Sequence, residues 1–409
     1  MATIDRRSFV AGSAGLAASL AVPLRADAAA ATGIDVLAYY FPAWHQDPAE
    51  SLRYGAGWTE WKLLRDARPR FPGHQQPKRP AWGEFDEADP RLSAREIALA
   101  ADNGITGFIY DWYWHGGAPF LQGALEQGFL KSANRDRLKF ALMWANHDWL
   151  EIFPAPPSRD RKLLGRGDTD RADFERMTDY ILATYFHQPN YLRVDRRLYF
   201  SIYELATFIK GMGGVDSAKA ALDSFRAKVE RAGLGALHLN AVVWGVEVLP
   251  TKNHLADPAA VVRALGFSSL TTYAWVHNYK MEPSRFPRDS YTRAAEASYA
   301  AWDRYASTFG LPYHPNVSMG WDPSPRTTQG VPLRDYGYPW TSVLEGNTPA
   351  AYEAALLRAR AWVEARPPAE RVVTLNAWNE WTEGSYLLPD TISGDAYLHA
   401  VKQVFGGSA

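Results

Sequence analysis

Two glutamates three residues apart near the C-terminus, Glu380 and Glu383, have the residue type and spacing that best suit catalysis in this chain. They lie in the segment Asn376–Tyr386, which reads N-A-W-N-E-W-T-E-G-S-Y and directly follows a short apolar, β-branched run. Three extended residues span roughly 10 Å, and one helical turn would bring the two Cβ atoms to about 5–6 Å. Both carboxyl groups can therefore reach one sugar ring.

The indole rings of Trp378 and Trp381 flank this glutamate pair. Burial and a neighbouring negative charge both raise the pKa of a carboxyl group, so one glutamate is expected to hold a proton near neutral pH while the other is ionised. The pair would then supply one acid and one base. The alternative is a surface turn whose glutamates lie at a helix N-terminus, where the helix dipole favours them. Three aromatic residues within nine positions favour the catalytic interpretation.

Strand-like and helix-like segments alternate eight times along the chain, which predicts an α/β fold, a (β/α)8 TIM barrel with long βα loops. An open, doubly wound sheet is the alternative, but no G-x-G-x-x-G follows the first strand. The predicted strands are Ile34–Tyr40, Ile105–Trp112, Lys139–Trp144, Arg197–Tyr203, His238–Val243, Phe267–Tyr273, Tyr313–Ser318 and Val372–Asn376. The predicted helices are Leu92–Asp102, Leu121–Leu130, Ala172–Thr184, Ser217–Arg231, Pro258–Leu265, Ser290–Thr308, Pro349–Glu364 and Gly394–Val401.

Aromatic and polar side chains recur where these strands end, and in a barrel the carboxyl ends of the strands surround the functional site. Aromatic rings pack on the CH faces of sugars, while polar neighbours bind the hydroxyl groups. The long loops after strands one and seven are expected to form walls of the cleft; Glu60, in the first, could bind substrate or hold the loop in place. The candidate substrate-binding residues are Tyr39, Tyr40, Glu60, Trp61, Asp111, Tyr113, Trp114, Trp144, Asn146, Asp148, Tyr203, Trp244, Tyr273, Trp321, Asp322, Arg326, Asn379 and Trp381.

Composition excludes several other function classes. The chain has no cysteine, so disulfides, thiolate metal sites and a cysteine nucleophile are ruled out. A formal charge of −1 without a Lys/Arg run argues against nucleic acid or an anionic membrane as the partner. The histidines lack H-x-H or H-E-x-x-H spacing, and no Walker loop or G-x-S-x-G elbow is present. We therefore expect a polysaccharide or oligosaccharide substrate and no metal or cofactor.

The N-terminus predicts export. Arg6 and Arg7 form a twin-arginine pair, an apolar run covers Val10–Leu24, and Ala26–Ala28 has the A-x-A pattern of a cleavage site. A membrane anchor is the weaker alternative, because the run is shorter than the ~20 residues needed to span a bilayer. We therefore predict a signal peptide over residues 1–31, a catalytic domain over 32–409, a periplasmic or secreted location, and a monomeric mature protein without a membrane span.

Seven segments together resemble the WbsX / glycoside hydrolase family 99-like group of proteins. They are spread from the first strand to the last, so the resemblance covers essentially the whole mature chain. The segments are L-A-Y-Y-F-P-A-W-H (Leu37–His45), G-W-T-E-W (Gly57–Trp61), R-F-P-G-H-Q-Q-P (Arg70–Pro77), G-I-T-G-F-I-Y-D-W-Y-W (Gly104–Trp114), M-W-A-N (Met143–Asn146), G-W-D (Gly320–Asp322) and N-A-W-N-E-W-T-E-G (Asn376–Gly384).

This resemblance implies a (β/α)8 barrel that acts on polysaccharide. Family 99 consists of retaining endo-α-1,2-mannosidases that work through a 1,2-anhydro sugar. By similarity, Glu380 is the base that removes the proton of the 2-hydroxyl group, and Glu383 is the acid that protonates the departing oxygen and later activates water. This chain departs from the group after W-A-N, where His147 followed by Asp148 replaces the usual acidic residue.

Three alternatives to an exported hydrolase remain at this stage. A polysaccharide lyase would need a base, a neutralised uronate and a Tyr or Arg partner, for which Tyr39, Tyr203 and Arg326 are available. A WbsX-type protein of polysaccharide biosynthesis would need a nucleotide-sugar donor, which is absent outside the cytoplasm. A barrel that binds carbohydrate without turning it over would use the glutamates for recognition alone.

Overall fold

The computed structural model describes residues 33–248 and 255–406 of the chain. The predicted signal peptide, residues 1–31, lies outside these ranges. Parallel strands surrounded by helices form a nearly closed barrel, which confirms the predicted fold class. The strands are β1 (Asp35–Tyr40), β2 (Gly107–His115), β3 (Lys139–Trp144), β4 (Arg197–Ile202), β5 (Leu237–Val242), β6 (Ser269–Thr271), β7 (Tyr313–His314 and Asn316–Ser318) and β8 (Val372–Asn376).

The barrel closes through the two halves of β7. Its first half pairs with β6, with Tyr313 opposite Leu270, and its second half pairs with β8, with Asn316 opposite Thr374. Pro315 separates the halves, because it has no N–H to donate to a neighbouring strand. The other strands pair in chain order from β1 to β6, and β1 also pairs with β8. This arrangement brings the carboxyl ends of all eight strands to one mouth.

Helices follow the strands on the outside of the barrel. The α-helices are α1 (Pro48–Tyr54), α2 (Trp61–Asp66), α3 (Pro90–Asp102), α4 (Arg171–Ile181), α5 (Leu205–Met212), α6 (Val215–Arg231), α7 (Pro258–Leu265), α8 (Tyr291–Phe309), α9 (Pro349–Glu364) and α10 (Ala396–Phe405). After β2 the chain forms a π-helix, Ala124–Gly128, and a 3-10 turn, Phe129–Lys131, where the sequence predicted one helix. Helix α5 was not predicted.

Local capping explains where several helices begin. The side chain of Asp257 accepts a hydrogen bond from the backbone N–H of Ala260, and Pro258 occupies the first turn of α7. Thr348 and Pro349 begin α9 in the same way. A capping oxygen satisfies an N–H that lacks an intrahelical partner, and proline fits the first turn because it has no N–H there. The predicted bounds of both helices are therefore confirmed.

The barrel strands are buried on both faces, so side chains alternate between the barrel interior and the helix layer. Strand β3 shows this directly. Met143 faces the mouth of the barrel, whereas the next residue, Trp144, packs outward against Phe174 of α4 and Phe208 of α5. Met143 therefore lines the cleft, whereas the adjacent Trp144 belongs to the core between the barrel and the helices.

Short secondary elements extend the strand ends around the mouth. Two antiparallel pairs, one after β3 and one after β8, carry residues of the cleft described below. Within the described ranges, no helix is both long and apolar enough to cross a membrane. The short strands are Ala118–Phe120, Trp149–Leu150, Leu163–Gly165, Arg193–Val194, Arg288–Ser290, Val343–Glu345, Asn379–Glu380 and Ser385–Tyr386.

Candidate active site

A cleft that is open to solvent lies at the carboxyl ends of the strands. It brings together residues from the loops after strands β1 to β8, which are far apart in sequence. Both glutamates of the predicted pair line it. The residues from the sequence-based set that line the cleft are Asp111, Tyr113, Asp148, Tyr203, Tyr273, Trp321, Arg326, Glu380 and Glu383.

A tight turn after β8 carries the glutamate pair. Asn379–Glu380 pairs antiparallel with Ser385–Tyr386, and Trp381–Glu383 forms a 3-10 turn between them. Gly384 ends this turn in the left-handed conformation, with φ of 66°. A Cβ atom there would lie 2.7 Å from the Cβ of Asp322, so glycine is required for both its conformation and its lack of a side chain. The turn therefore holds both carboxyl groups on one side, facing the cleft.

Arg326 joins the two glutamates. Its Nη2 donates to Glu380 Oε1 at 2.6 Å, and its Nη1 donates to Glu383 Oε1 at 2.6 Å. The guanidinium group lies between the rings of Phe41 and Phe153, each centroid 5.1 Å from Cζ. Such stacking favours a cation and fixes the plane of its donors. The two carboxyl groups are thus held one guanidinium width apart.

A third carboxylate and a phenol complete this cluster. Glu60, 1% exposed, accepts two hydrogen bonds from Arg326 Nη2 at 3.2 Å and a further short one from Thr382. Tyr338 donates to Glu383 Oε1 at 2.5 Å. Glu60 does not line the cleft, and its contacts with Arg326 and Thr382 connect the first long loop to the arginine and to the turn after β8.

Burial is the main influence on the protonation of the pair. It raises the pKa of Glu380 well above its ordinary value, and the charge of Glu383 adds to the rise while Arg326 opposes it. Burial also raises the pKa of Glu383, against the opposing charge of Arg326 and the hydrogen bond from Tyr338. Burial therefore favours the protonated form of both carboxyl groups, and the charge of Arg326 favours the ionised form.

Tyr273 connects Glu380 to a fourth buried carboxyl group. Its hydroxyl lies 2.8 Å from Asp111 Oδ2 and 3.2 Å from Glu380 Oε2. Asp111 comes from β2, Tyr273 follows β6, and Glu380 follows β8. Burial raises the pKa of Asp111 well above its ordinary value, although the hydrogen bond from Tyr273 opposes the rise. Its other oxygen, Oδ1, is buried and has no hydrogen-bond partner among the residues that the structure describes.

The opposite wall of the cleft is aromatic. The His147 and Trp149 rings lie nearly parallel, 6.1 Å apart, and Tyr113 and Tyr203 meet the His147 ring edge-on at 6.0 and 5.9 Å. His147 Nδ1 lies 3.0 Å from the carbonyl oxygen of Asp148, and burial lowers the pKa of the ring. A neutral ring that donates through Nδ1 leaves Nε2 as an acceptor for a hydroxyl group. This wall suits an uncharged, hydroxyl-rich ligand.

The remaining residues of the sequence-based set lie outside the cleft lining and support it in different ways. They are Tyr39, Tyr40, Glu60, Trp61, Trp114, Trp144, Asn146, Trp244, Asp322, Asn379 and Trp381. Two of them brace the backbone. Asn379 donates to the carbonyl of Phe41 and accepts from its N–H, at 2.9 and 2.8 Å, and Asn146 makes the same double contact with the backbone of Glu204.

Several of the aromatic residues outside the lining are packing residues. Trp61 lies 4.3 Å from the Trp44 ring, and Trp381 stacks on Tyr386 at 3.8 Å. Trp114 packs against Trp112 and Tyr180. The Tyr39 ring lies 4.7 Å from that of Tyr273, Trp244 lies 5.0 Å from that of Tyr203, and the Tyr40 hydroxyl donates to Glu96 on α3. Some aromatic rings at the strand ends therefore line the cleft, and others pack around it.

Asp322 contacts a second, separate cavity. It accepts hydrogen bonds from His74 Nε2 at 2.9 Å and Gln76 Nε2 at 2.7 Å, and it lines a cavity of about 1060 Å³ beside the loops after β7 and β8. Burial alone would raise the pKa of Asp322, but the hydrogen bond from His74 and the charge of Lys78 hold it well below its usual range. Asp322 is therefore an ionised anchor of the first long loop.

Sequence reasoning missed important cleft residues. Tyr338 contacts both Arg326 and Glu383 and lies in the loop Asp322–Asn347. The sequence predicted that this loop forms a wall of the cleft, but it did not single out Tyr338. His277, whose Nε2 lies 3.3 Å from the Tyr203 hydroxyl, follows β6 beyond the predicted strand. No group of three or more His, Asp or Glu side chains in the described residues could hold a metal ion.

The chain belongs to the family described as Glycosyltransferase WbsX, whose family model matches residues 36–401. It is 29% identical over 382 residues to the uncharacterized protein WxcX of Xanthomonas campestris pv. campestris, strain B100, a match that covers 90% of this chain and 49% of that protein. The chain thus spans about half the length of the curated relatives it matches.

Solved structures support the fold. A protein described as glycoside hydrolase-like has 15% identity and a TM-score of 0.57, covering 91% of this chain and 94% of its own. The family 99 endo-α-mannosidase of Bacteroides thetaiotaomicron has 15% identity and a TM-score of 0.54, covering 90% of this chain and 95% of its own. These likenesses show that the chain shares the TIM-barrel fold of glycoside hydrolases.

Proposed function

We propose that this protein is a retaining glycoside hydrolase that cleaves α-linked polysaccharide, with Glu380 as the base and Glu383 as the acid. The observation that carries the proposal is the fixed pair of buried carboxyl groups, both bound by Arg326 and both facing an aromatic-walled cleft at the barrel mouth. Active sites of TIM-barrel enzymes lie at this end of the barrel. The likeness in fold to a family 99 endo-α-mannosidase is consistent with it.

The contacts of each glutamate fit its proposed role. Both oxygens of Glu380 lie beside a donor, Arg326 for Oε1 and Tyr273 for Oε2, and such contacts favour an ionised base. The contacts of Glu383 converge on Oε1, and no described residue donates to Oε2. That oxygen can therefore carry the proton that a departing glycosidic oxygen needs.

The proposed reaction has two steps. In the first, Glu380 takes the proton of the sugar's 2-hydroxyl group, whose oxygen attacks the anomeric carbon, while Glu383 protonates the departing oxygen. In the second, Glu383 takes a proton from water, which opens the 1,2-anhydro ring at the anomeric carbon, and Glu380 returns its proton to O2. Two inversions at one carbon give net retention of configuration.

The arrangement of charges suits an uncharged substrate better than an anionic one. Among the described residues that line the cleft, Arg326 is the one cationic side chain, and it is already bound to Glu60, Glu380 and Glu383. The uronate of a lyase substrate and the phosphate groups of a nucleotide-sugar donor would each lie beside this group of carboxyl side chains without a side-chain cation of their own. An uncharged glycan needs no such cation.

The test of this proposal is an assay of new reducing ends with a panel of α-linked bacterial and yeast polysaccharides, α-1,2-mannan included. Glu380→Gln and Glu383→Gln are each expected to lower the rate about 10²–10⁴-fold. The matched control is Glu96→Gln. Glu96 is a buried carboxyl group outside the cleft whose pKa burial raises to about 8, so the amide resembles its protonated form.

Three results of this assay would contradict the proposal. Binding of several glycans without cleavage by the wild type would make the protein a carbohydrate-binding barrel. Cleavage that both glutamine variants retain would move the chemistry to other residues. Unsaturated, ultraviolet-absorbing ends would identify a lyase.

A second assay separates the two roles. An aryl glycoside with a good leaving group needs no proton donor in the first step, so Glu383→Gln is expected to release the aryl group from it at nearly the wild-type rate. Glu380→Gln is expected to fail with both types of substrate, because the 2-hydroxyl group is no longer deprotonated. The reverse pattern would exchange the assignments of acid and base.

We also propose export through a twin-arginine signal over residues 1–31 and a monomeric mature protein. The proposal is supported by Arg6, Arg7 and the A-x-A pattern at Ala26–Ala28. Replacing both arginines with lysine is expected to retain the uncleaved protein in the cytoplasm, as measured by fractionation. Unchanged export would contradict the proposed route, and sedimentation equilibrium at more than one monomer mass would contradict the monomer.

A further inference from the structure

We propose that Asp111 stores a proton and, through the Tyr273 hydroxyl, keeps Glu380 ionised and ready to act as a base. Asp111 and Tyr273 are thus positioning residues that act through Glu380. This inference rests on the proposed function in so far as Glu380 is the base. The protonation of Asp111 itself stands independently of turnover.

The Tyr273 hydroxyl contacts two carboxyl groups but carries a single proton. The Tyr273 oxygen lies 2.8 Å from Asp111 Oδ2 and 3.2 Å from Glu380 Oε2, both hydrogen-bond distances. A phenol has one proton and can donate to one of these oxygens only. Sharing this proton between two carboxylates would leave both contacts weak, whereas a protonated carboxyl group can itself donate to the Tyr273 oxygen. Both contacts are best satisfied when one proton resides on Asp111 or on Glu380.

The partners of the two carboxyl groups indicate which of them holds that proton. Burial raises the pKa of both, but Glu380 has a cation at its other oxygen that opposes the rise, because Arg326 Nη2 donates to Oε1 at 2.6 Å. Asp111 has no such partner: its Oδ1 is buried and receives no hydrogen bond from the described residues. An ionised oxygen without a donor is costly in the protein interior, whereas the carbonyl oxygen of a neutral carboxyl group costs much less.

The surroundings of Asp111 point the same way. Beside Tyr273, the groups that act on it are the carboxyl group of Glu383, which disfavours a negative charge on Asp111 whenever Glu383 is itself ionised, and the more weakly acting guanidinium of Arg326. The nearby phenols of Tyr39 and Tyr113 are neutral, since burial raises the pKa of each well above its ordinary value. Burial itself also favours the neutral form of Asp111.

The resulting arrangement is a directed chain of two hydrogen bonds. Asp111 Oδ2–H donates to the Tyr273 oxygen, and the Tyr273 O–H donates to Glu380 Oε2. Glu380 is then an ionised base that accepts from Arg326 and Tyr273 and retains a lone pair for the substrate's hydroxyl proton. The stored proton never leaves the chain of residues during the proposed cycle, so no further reactant is required.

The test is carbon-13 NMR of the unliganded wild-type protein labelled at the carboxyl carbon of aspartate. The resonance that disappears in Asp111→Asn is expected to show the shift of a protonated carboxyl group throughout the neutral range. Asp322 provides an internal control at the same mouth, because its hydrogen bonds from His74 and Gln76 favour the ionised form. The resonance that disappears in Asp322→Asn is expected to show an ionised shift.

Should Asp111→Asn fail to fold, Tyr273→Phe identifies the resonance instead, since removing the phenol moves the signal of the aspartate that bonds to it. An ionised shift for Asp111 at neutral pH would overturn the proposal, whether or not the protein cleaves any glycan. This readout therefore separates a failure of the inference from a failure of the proposed function.

The positioning role has its own test in the active enzyme. Asp111→Asn keeps an N–H donor for the Tyr273 oxygen, whereas Asp111→Leu has none. Asp111→Leu is expected to lower kcat/KM about 10²-fold more than Asp111→Asn does. The rate profile of Asp111→Asn is also expected to extend to higher pH than that of the wild type, because an amide has no proton to lose. Equal losses in the two variants, with unchanged pH profiles, would reject the positioning role.

Discussion

Two buried polar clusters in the same barrel differ in the charge state of their side chains. The mouth cluster, Glu60, Arg326, Glu380 and Glu383, places charged groups in contact with one another beside the open cleft. The barrel cluster, Tyr199, His238 and His314, lies inside the barrel, with rings stacked nearly parallel at 5.6 to 6.3 Å and little hydrogen bonding.

The two clusters differ in how they offset the free-energy cost of burying ionisable side chains. In the mouth cluster a single guanidinium binds three carboxyl groups, so charge is retained by pairing. In the barrel cluster both His314 nitrogens lack partners among the described residues, and burial lowers the pKa of His314 to about 3 and that of His238 to about 2. The histidine rings of the barrel cluster are therefore neutral. The comparison indicates that this barrel buries ionisable side chains in two ways, either beside a group of opposite charge or in their neutral form.

The largest expected effect comes from removing the cation of the mouth cluster. Arg326→Met leaves three neighbouring carboxyl groups without their common partner and is expected to lower the free energy of unfolding by about 3–5 kcal/mol and abolish turnover. Arg326→Lys keeps the charge but cannot bind two carboxylates in one plane, so an intermediate loss is expected. Urea unfolding and the reducing-end assay measure both quantities.

A matched control for this prediction is Arg166→Met, which removes the ion pair between the exposed Arg166 and Asp168. Its stability is expected to stay close to that of the wild type, because solvent screens the charge of an exposed arginine. If Arg326→Met proved as mild as the control, the mouth cluster would not depend on its cation, and the contrast with the barrel cluster would fail.

The barrel cluster is expected to control acid stability. Because the pKa values of His238 and His314 in the folded protein lie below the ordinary 6.5, the unfolded chain binds more protons than the folded one as the pH falls below that value. The stability contributed by the neutral rings is present above pH 6.5 and is lost as the pH falls towards 3. Each histidine is expected to contribute a slope of about 1.4 kcal/mol per pH unit.

Phenylalanine at position 314 tests this expectation. His314→Phe is expected to lower the slope of unfolding free energy against pH by about 1.4 kcal/mol per pH unit in the acid range. An unchanged slope in His314→Phe would show that the buried ring is not the source of acid sensitivity.

The mouth cluster is expected to have the opposite pH dependence. Burial raises the pKa of Glu383 in the folded protein, so its contribution is most favourable below the pKa of the unfolded chain and is lost as the pH rises through the folded pKa. Glu383→Gln cannot ionise and is expected to flatten the fall in stability as the pH rises above the pKa of Glu383 in the unfolded chain. A variant that still lost stability like the wild type would assign that fall to other groups.

The smallest expected effect lies outside both clusters. Tyr40 donates to Glu96 at 3.0 Å behind the barrel wall, so Tyr40→Phe is expected to cost about 1 kcal/mol of stability. Thermal unfolding measures it. A loss as large as that of Arg326→Met would show that an ordinary buried hydrogen bond matters as much as the shared cation.

The sequence predicted the barrel because its strands are continuous apolar runs, and these were found in the expected places. Helix α5 was missed because it begins directly after β4, at Leu205, without a turn signal. The break of β7 at Pro315 was also missed, since a proline inside an apolar run does not reveal how its two halves pair.

The site was harder to predict than the fold. Recurrence at strand ends identified the right end of the barrel, but it could not distinguish Met143, which faces the cleft, from Trp144, which faces the helices. That choice depends on strand register, which a one-residue shift reverses. Tyr338 lies in a long loop without periodicity, so only the folded chain shows its contact with Glu383.

The most direct test of the central claim is proton NMR of the purified protein acting on an α-linked polysaccharide, recorded from the first minutes of reaction. The account predicts that the first reducing ends have the same anomeric configuration as the bond that was cut, and that neither Glu380→Gln nor Glu383→Gln produces them from polysaccharide. First products of inverted configuration would contradict the proposed roles of the two glutamates, and the absence of any product would contradict the hydrolase.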